Sequence, residues 1–160
     1  MCHQCDYSEL LKARELGVTR KRLRVLEVIG SHNSPLSAGD IYKTLECSTA
    51  INRVTVYRIL DLLVDRGLVQ RLSGGGRSYV YGLAPNEYHP AHPHFYCKSC
   101  GHMECLTPQS LNVDTQPMQH TFRGLIENVE VRVDGVCKTC LQTEKAESFL
   151  ILPLSNTNNH

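Results

Sequence analysis

Cysteine and histidine are concentrated in one short stretch of the chain. Residues 92–105, HPHFYCKSCGHMEC, contain three cysteines and three histidines, and a second Cys-x-x-Cys pair follows at residues 137–140. Each Cys-x-x-Cys turn places two thiolates on one side of a tight loop, and two such turns supply the four sulfur ligands of a tetrahedral Zn²⁺ site. The spacing therefore predicts a structural zinc site formed by Cys97, Cys100, Cys137 and Cys140.

An iron–sulfur cluster and a redox-active dithiol are the two alternatives to a zinc site for these cysteines. The βαβ pattern that accompanies a thioredoxin-like Cys-x-x-Cys is absent from the sequence around both pairs. A zinc ion also has a structural use here, because the C-terminal half is short and has few residues with which to build a core. Structural zinc is the favoured interpretation.

The histidines beside the first Cys-x-x-Cys pair predict a second metal site. In an extended strand His92 and His94 project from the same face, so both imidazoles can bind one ion. A strand returning from the Cys-x-x-Cys turn brings further donors close to them. The alternative is that histidines in a proline-broken loop are simply solvated. The candidate ligands of the second site are His92, His94, Cys105, His89 and Glu104.

Length and composition fit one ordinary domain or two small ones, at 160 residues and 18.0 kDa with 41% apolar residues. The sequence has neither an apolar run long enough to span a membrane nor an apolar signal region, so we expect a cytoplasmic protein with no membrane partner. Residues 1–83 carry a net charge of +4 (12 Lys+Arg, 8 Asp+Glu), and residues 84–160 carry −3 (5 against 8). The basic half suggests an anionic partner, although chance variation in surface charge is the alternative.

The N-terminal half has the pattern of a winged helix-turn-helix. Periodic apolar residues predict four helices, at about residues 7–16, 19–31, from 37 through 45, and 52–66. Ser37, with Asp40 three residues later, resembles a capping box at the start of the third helix. The segments LVQRL and RSYVYGL flank a glycine-rich turn and predict a β-hairpin.

In a winged helix the fourth helix lies in the major groove of double-stranded DNA. Arginine can fork onto guanine or hold a phosphate, and tyrosine can contact a phosphate or a thymine methyl group. Arg71 and Arg77 on the hairpin would add charge beside the groove. The alternative is that these are ordinary solvated helix charges. The predicted DNA-binding residues are Arg20, Arg53, Thr55, Tyr57 and Arg58.

The C-terminal half predicts a small sheet with a helix. FYCKS and MECLT are predicted strands, residues 109–120 a weak helix or loop, and residues 125–133 an alternating strand. An open edge of such a sheet can pair with its copy and form a two-fold homodimer. The predicted fold is α+β. Its predicted parts are a winged-helix domain at 1–83, a hinge at 84–91, a metal-binding dimerisation domain at 92–141 and a flexible tail at 142–160.

Taken together, these segments resemble the ferric uptake regulator family of metal-dependent bacterial repressors. The resemblance covers about residues 7–140 and is carried by TRKRLRVLEVI, SAGDIYKTL, RVTVYRILDLLVDRGLVQRL, HPHFYCKSCG and DGVCKTC. It implies a winged-helix domain hinged to an α/β dimerisation domain, and a dimer that binds palindromic AT-rich operators when a regulatory metal is bound. The resemblance also places Tyr57 and Arg58 on operator-contacting positions. It places the cysteines of the two Cys-x-x-Cys pairs on a structural zinc site.

The regulatory site is where the chain departs from its iron- and manganese-responsive relatives. Gly82 stands where they usually have a glutamate, Pro93 where they have an aspartate, and their further ligands fall near Asn112 and Val129. Oxygen donors are thus depleted while imidazoles and the Cys105 thiol remain, which favours zinc over iron. We therefore predict a zinc-responsive repressor of metal-uptake genes, with an Fe²⁺-responsive regulator as the alternative and peroxide sensing less favoured.

Other functions and residues are less well supported by the sequence. No phosphate loop, Ser/His/Asp order or zinc-deaminase signature is present, so we expect neither an enzyme nor a small-molecule substrate. A zinc-ribbon protein-interaction module is a further alternative. The candidates for a fourth ligand of the regulatory metal are His89, Glu87, Glu104 and a residue from the β-hairpin, or wing, of the winged helix. His32 is an additional candidate. Cys2, His3 and Cys5 are interpreted as part of a frayed terminus, or else as a clip for another zinc ion.

Overall fold

The computed structural model describes residues 5–75, 78–111, 113–114, 116–126 and 129–143. The N-terminal half begins with four helices, which cross one another around a common apolar core. Their bounds are α1 Tyr7–Ala13, α2 Arg20–Ser31, α3 Ala38–Glu46 and α4 Arg53–Asp65. Three strands accompany them, β1 Leu36–Ser37, β2 Val69–Ser73 and β3 Tyr79–Leu83.

Side-chain caps explain where all four of these helices begin. The hydroxyl of Ser37 accepts a hydrogen bond from the Asp40 amide at 3.1 Å and donates one to the Asp40 carboxylate at 2.6 Å. Asn52 and Thr19 cap α4 and α2 in the same way. Each cap satisfies an amide that the helix itself leaves unpaired, so the Ser37 cap that the sequence predicts is present, with its hydroxyl held by the Asp40 carboxylate.

Helix α1 ends earlier than its apolar pattern predicts. The helix stops at Ala13, whereas the pattern runs on to Leu16. Glu15 has a backbone φ of 57°, in the left-handed region, which no α-helix accommodates. Leu16 nevertheless reaches the core, where it is 7% exposed. The apolar periodicity therefore predicted the burial of Leu16 correctly and its helical conformation wrongly.

The first sheet has the order β1-β3-β2, and all of its pairs are antiparallel. β2 and β3 form the predicted hairpin, in which Val69 pairs with Leu83 and Ser73 pairs with Tyr79. One face of the hairpin packs on the helices through Val69, Tyr81 and Leu83. Arg77, at the predicted tip, lies outside the described residues.

The second sheet is formed by β4 His94–Cys97, β5 Met103–Cys105 and β6 Arg132–Gly135, in the order β5-β4-β6. β5 is antiparallel to β4 and β6 is parallel to it. The strand predicted at residues 125–133 begins only at Arg132. Its partner β4 begins at His94, whose amide donates to the Val131 carbonyl, so the ladder between β4 and β6 starts there. The prediction of that strand's start was therefore wrong.

Between β5 and β6 the chain forms a 3₁₀ turn, Pro108–Ser110, and a short helix α5, Gln116–Thr121. The weak helix predicted at 109–120 is thus two separate turns, because Leu111 is extended between them. Residues 138–143 are helical, and the rest of the predicted tail, 144–160, lies outside the described residues, as do Cys2 and His3. Among the described residues, no helix has the length and apolar character needed to cross a membrane.

Candidate metal centres and nucleic-acid interface

The two Cys-x-x-Cys turns lie side by side at the carboxyl ends of the adjacent parallel strands β4 and β6. The thiol sulfurs of Cys97 and Cys140 are 3.9 Å apart, those of Cys100 and Cys137 are 3.8 Å apart, and all four lie within 4.8 Å of one another. A tetrahedral zinc site with Zn–S bonds of about 2.3 Å requires sulfur–sulfur separations of about 3.8 Å. The four thiols therefore fit one zinc ion.

The fold prepares one of these thiols to ionise. Cys97 is fully buried at the end of β4, and the backbone amide of Cys137 donates a hydrogen bond to its sulfur at 3.2 Å. Hydrogen bonds from the backbone at Cys100 and Cys137 lower the pKa of Cys97 to about 6. The hydrogen bonds of Cys140 with Cys137 and Cys100 act in the opposite direction and raise its pKa. Amide donors of this kind favour the thiolate form that binds a metal ion.

A second cluster brings together His92, His94 and Cys105. One ligand atom of each lies within 4.8 Å of the others. His94 and Cys105 are directly paired across the antiparallel strands β4 and β5, so their side chains share one face of the sheet. His92 precedes β4, and its ring centroid is 4.7 Å from that of His94. Strand pairing and a short loop thus assemble three donors that are soft or borderline in character.

The hydrogen bonds of the two imidazoles fit metal binding. A carbonyl oxygen can only accept, so the Nδ1–H of His92 donates to the Pro90 carbonyl at 3.0 Å. That bond leaves the Nε2 of His92 free to bind a metal. Within the described part of the chain, this buried nitrogen and the Nδ1 of His94 have no hydrogen-bond partner. Two buried ring nitrogens without a partner beside a thiol are costly unless an ion or a water binds there.

His89 and His32 lie at the edge of this cluster. The ring of His89 meets that of His92 edge to face at a centroid distance of 4.8 Å. Both residues line a cavity of about 210 Å³ that also contains His92, His94 and Cys105. His32 donates its Nδ1–H to the Val28 carbonyl at 2.7 Å, which leaves its Nε2 as an acceptor. Neither imidazole belongs to the group of ligand atoms that lie within 4.8 Å of one another, which consists of His92, His94 and Cys105 among the described residues.

The structure does not bring Glu104 to this cluster. Glu104 pairs with Phe95 on the other face of the sheet and is exposed, because successive side chains of a strand alternate between faces. Glu87 is exposed as well and does not line the cavity. Within the described part of the chain, the cluster therefore consists of imidazoles and a thiol, with no carboxylate.

The outer face of α4 presents the predicted DNA-binding residues. Tyr57 is 44% exposed, Arg53 and Arg58 are exposed beside it, and Thr55 is half-buried. The Arg53 guanidinium lies over the ring of Tyr42, 5.3 Å from its centroid, which limits where its side chain points. Arg20 is exposed at the first position of α2.

Other basic residues are held by contacts within the protein. Arg71 on β2 forms a 2.7 Å ion pair with Asp61 on α4, and this ion pair links the hairpin to that helix. Arg24 pairs with Glu27 at 2.6 Å and donates to the Ser48 hydroxyl at 3.2 Å. These bonds direct the charge of Arg24 to partners within the protein.

Comparison with known proteins identifies the family. The model of the ferric uptake regulator family matches residues 13–132. The chain belongs to the ferric uptake regulator family. It is 38% identical over 131 residues to a ferric uptake regulation protein of Haemophilus influenzae, a match that covers 81% of this chain and 88% of that protein. The predicted family is thereby confirmed.

Solved structures agree with this assignment. The ferric uptake regulator of Vibrio cholerae superimposes with a TM-score of 0.65 and 28% identity, covering 82% of this chain and all of that one. A zinc uptake regulator bound to zinc and DNA has the same fold, with a TM-score of 0.59 at 24% identity and coverage of 87% and 93%. The predicted α+β fold, a winged-helix domain followed by a dimerisation domain, is confirmed.

Membership of the family establishes the general function. Ferric uptake regulator proteins are metal-responsive transcriptional regulators that bind operator DNA as dimers, and they are not enzymes. The prediction that the chain is a regulator and not an enzyme is therefore confirmed at this level. Family members hold both structural and regulatory metal ions, and the two clusters described above are the candidate sites in this chain.

Zinc binding at the second cluster is expected to strengthen as pH rises. Burial raises the pKa of the Cys105 thiol, so the thiol is protonated at neutral pH and zinc binding must release its proton. The pKa of His94 is lowered to about 4 by burial and by His92, so His94 is already neutral. From about pH 7 to about pH 8, the apparent zinc dissociation constant should fall about tenfold.

The measurement is competition with a chromophoric chelator at several pH values. Cys105→Ser is the control and should lose this slope, since serine stays protonated over the whole range. The same pH profile in Cys105→Ser and in the wild type would exclude the Cys105 thiolate as a ligand.

Residues between the two domains were missed by the sequence analysis. Tyr96 on β4 and Arg132 on β6 touch the hairpin of the winged-helix domain at Ser73 and Gly75. These partners are 21 or more residues apart in the chain, and their types match no recognised motif. Only the packing of the domains identifies them.

Proposed function

We propose that this member of the family is a zinc sensor that represses metal-uptake genes. The observation that supports zinc is the donor set of the second cluster, two imidazoles and a thiol with no carboxylate among the described ligand groups. Thiolate and imidazole suit zinc, whereas Fe²⁺ and Mn²⁺ sites are richer in oxygen donors. The regulatory ligands would be His92, His94 and Cys105, with His89 or His32 as the fourth.

The four cysteines Cys97, Cys100, Cys137 and Cys140 would bind a separate, structural zinc ion. The distances between their sulfurs suit a closed tetrahedral site that has no open position for a further ligand. The second cluster borders a cavity, which leaves access for an ion to enter and leave. We therefore assign stability to the first site and sensing to the second.

The regulatory cavity lies between the two domains, which suggests how zinc controls DNA binding. Its lining includes Ile29 and His32 of the helical domain and Gln70 and Leu83 of the hairpin, together with the cluster itself. A bound ion would add coordinate bonds at this boundary and favour the domain arrangement in which the cavity is closed. In a dimer, that arrangement would fix the spacing of two α4 helices for half-sites about one helical turn apart.

DNA recognition would use the exposed face of α4. Arg53, Tyr57 and Arg58 would contact bases and phosphates, Thr55 would contribute from its half-buried position, and Arg20 would hold the backbone. The operator is expected to be a palindromic AT-rich duplex, by analogy with the family.

Iron is the second candidate for the regulatory metal. The observation that favours it is the name of the Haemophilus influenzae relative, which is a ferric uptake regulation protein. The test is a titration of the purified protein against a fluorescent palindromic AT-rich duplex, with buffered Zn²⁺ in one series and anaerobic Fe²⁺ in the other. Binding induced by zinc at lower free metal concentration supports the proposal. Binding induced by iron alone would reject it.

A further inference from the structure

The glycine-rich hairpin of the winged-helix domain rests on the second sheet. The Nη1 of Arg132 donates a hydrogen bond to the Ser73 carbonyl at 3.3 Å. The Arg132 guanidinium also lies over the ring of Tyr96, 5.2 Å from its centroid, and forms a 2.7 Å ion pair with Asp134. We call Ser73, Gly75, Tyr96 and Arg132 the hairpin clasp.

Gly75 brings the hairpin backbone into close contact with Tyr96. A Cβ atom at Gly75 would overlap the hydroxyl and ring of Tyr96. The residue also has a φ of 80°, a conformation that glycine adopts without strain. The absence of a side chain at this position therefore serves the contact between the domains as well as the turn.

The clasp lies on the same strands as the proposed regulatory metal ligands. His94 of that cluster pairs with Arg132 on one side and with Cys105 on the other. Tyr96 is two residues beyond His94 on β4, so the two side chains project from the same face of the strand. One face of the sheet thus carries both the metal ligands and the groups that hold the hairpin.

We propose that Tyr96 and Arg132 are positioning residues that couple the regulatory metal to the orientation of the winged-helix domain. This inference rests on the proposed function. The clasp and the assembled cluster belong to the same arrangement of the two domains, and the cavity between those domains is lined by both. A contact made only in that arrangement strengthens metal binding and DNA binding together, by linkage.

The expected effect follows from the chemistry of the contact. The clasp consists of one hydrogen bond from a charged donor, one cation–π contact and a close backbone approach, each of modest strength at an exposed site. Losing Arg132 should raise the free zinc needed for half-maximal operator binding about tenfold, equivalent to about 1.4 kcal/mol. At saturating zinc, operator affinity should stay within about threefold of the wild type, because the DNA-binding face is intact.

The test compares Arg132→Gln and Tyr96→Leu with Arg123→Gln in zinc titrations of operator binding by the full chain. Arg123 is exposed in the same domain, and its replacement removes the same charge without touching the hairpin. Arg132→Lys keeps a cation over Tyr96 and should recover part of the loss. Unchanged zinc midpoints for both Arg132→Gln and Tyr96→Leu, in a protein whose wild type responds to zinc, would overturn the proposal.

Two further readouts separate coupling from damage to the fold. The content of structural zinc should remain at one ion per protomer, and hydrogen exchange of the Gly74 and Tyr79 amides should speed up in Arg132→Gln. Gly75→Ala should weaken zinc-dependent binding more in the presence of Tyr96 than in a Tyr96→Leu background, where the overlap is relieved. Equal effects in both backgrounds would contradict the clasp. A wild type that does not respond to zinc would instead reject the proposed function.

Discussion

Cys105→Ser is expected to weaken zinc binding at the regulatory site by at least about 100-fold and to abolish zinc-dependent operator binding. Among the described residues, Cys105 is the thiol that lies with His92 and His94, and it is half-buried beside them. A serine hydroxyl is a poor zinc ligand at neutral pH, so the site keeps only its imidazoles. His92→Ala should have a similar effect, since it removes a buried nitrogen that has no other described partner.

The measurement combines metal content with operator affinity at buffered free zinc. Both variants should retain one zinc ion per protomer, because the four-cysteine site is intact. Cys47→Ser is the matched control, since Cys47 is an exposed free thiol on the winged-helix domain and should be replaceable without effect. Full zinc-dependent binding by Cys105→Ser and by His92→Ala would place the regulatory site elsewhere.

Cys137→Ser is expected to unfold the second sheet and to abolish both dimerisation and DNA binding. Among the described residues beyond Ala84, the buried apolar side chains are those of Pro93, Cys97 and Met103. This half therefore has almost no core of its own, and the ion bound by the four thiols would supply most of its stability. Structural zinc sites in small peptides contribute on the order of 10–16 kcal/mol of binding free energy that is also folding free energy.

The N-terminal half should survive the same substitution. Its helices and hairpin enclose an apolar core that includes Leu26, Ile41, Leu45, Leu60 and Leu63, all fully buried. Circular dichroism of Cys137→Ser should show that helical signal is retained, while size-exclusion chromatography with light scattering reports a monomer. Cys47→Ser again serves as the control. A zinc-free Cys137→Ser protein that is still dimeric and binds DNA would show that the four-cysteine site is dispensable.

Much of the winged-helix half could be predicted from the sequence because its signals are local. A cap such as Ser37 or Asn52 acts within three residues, and the apolar spacing of α4 is visible within four turns. The start of β6 at Arg132 could not be predicted from local signals of this kind. Whether a residue of β6 joins the ladder depends on its partner in β4, and the first such pair is Arg132 with His94.

By itself, the sequence determined the donors of the four-cysteine site and the residues on the outer face of α4. Spacing along a turn sets each pair of cysteines and spacing along a helix sets the outer face of α4, whereas the pairing of β4 with β6 brings the two cysteine pairs together. The tertiary structure decided which donors form the second cluster and which residues hold the hairpin. His94 meets Cys105, and Glu104 turns away, because of the register between two strands. Arg132 reaches Ser73 only because two domains pack, and contacts of that kind leave no periodic pattern in the chain.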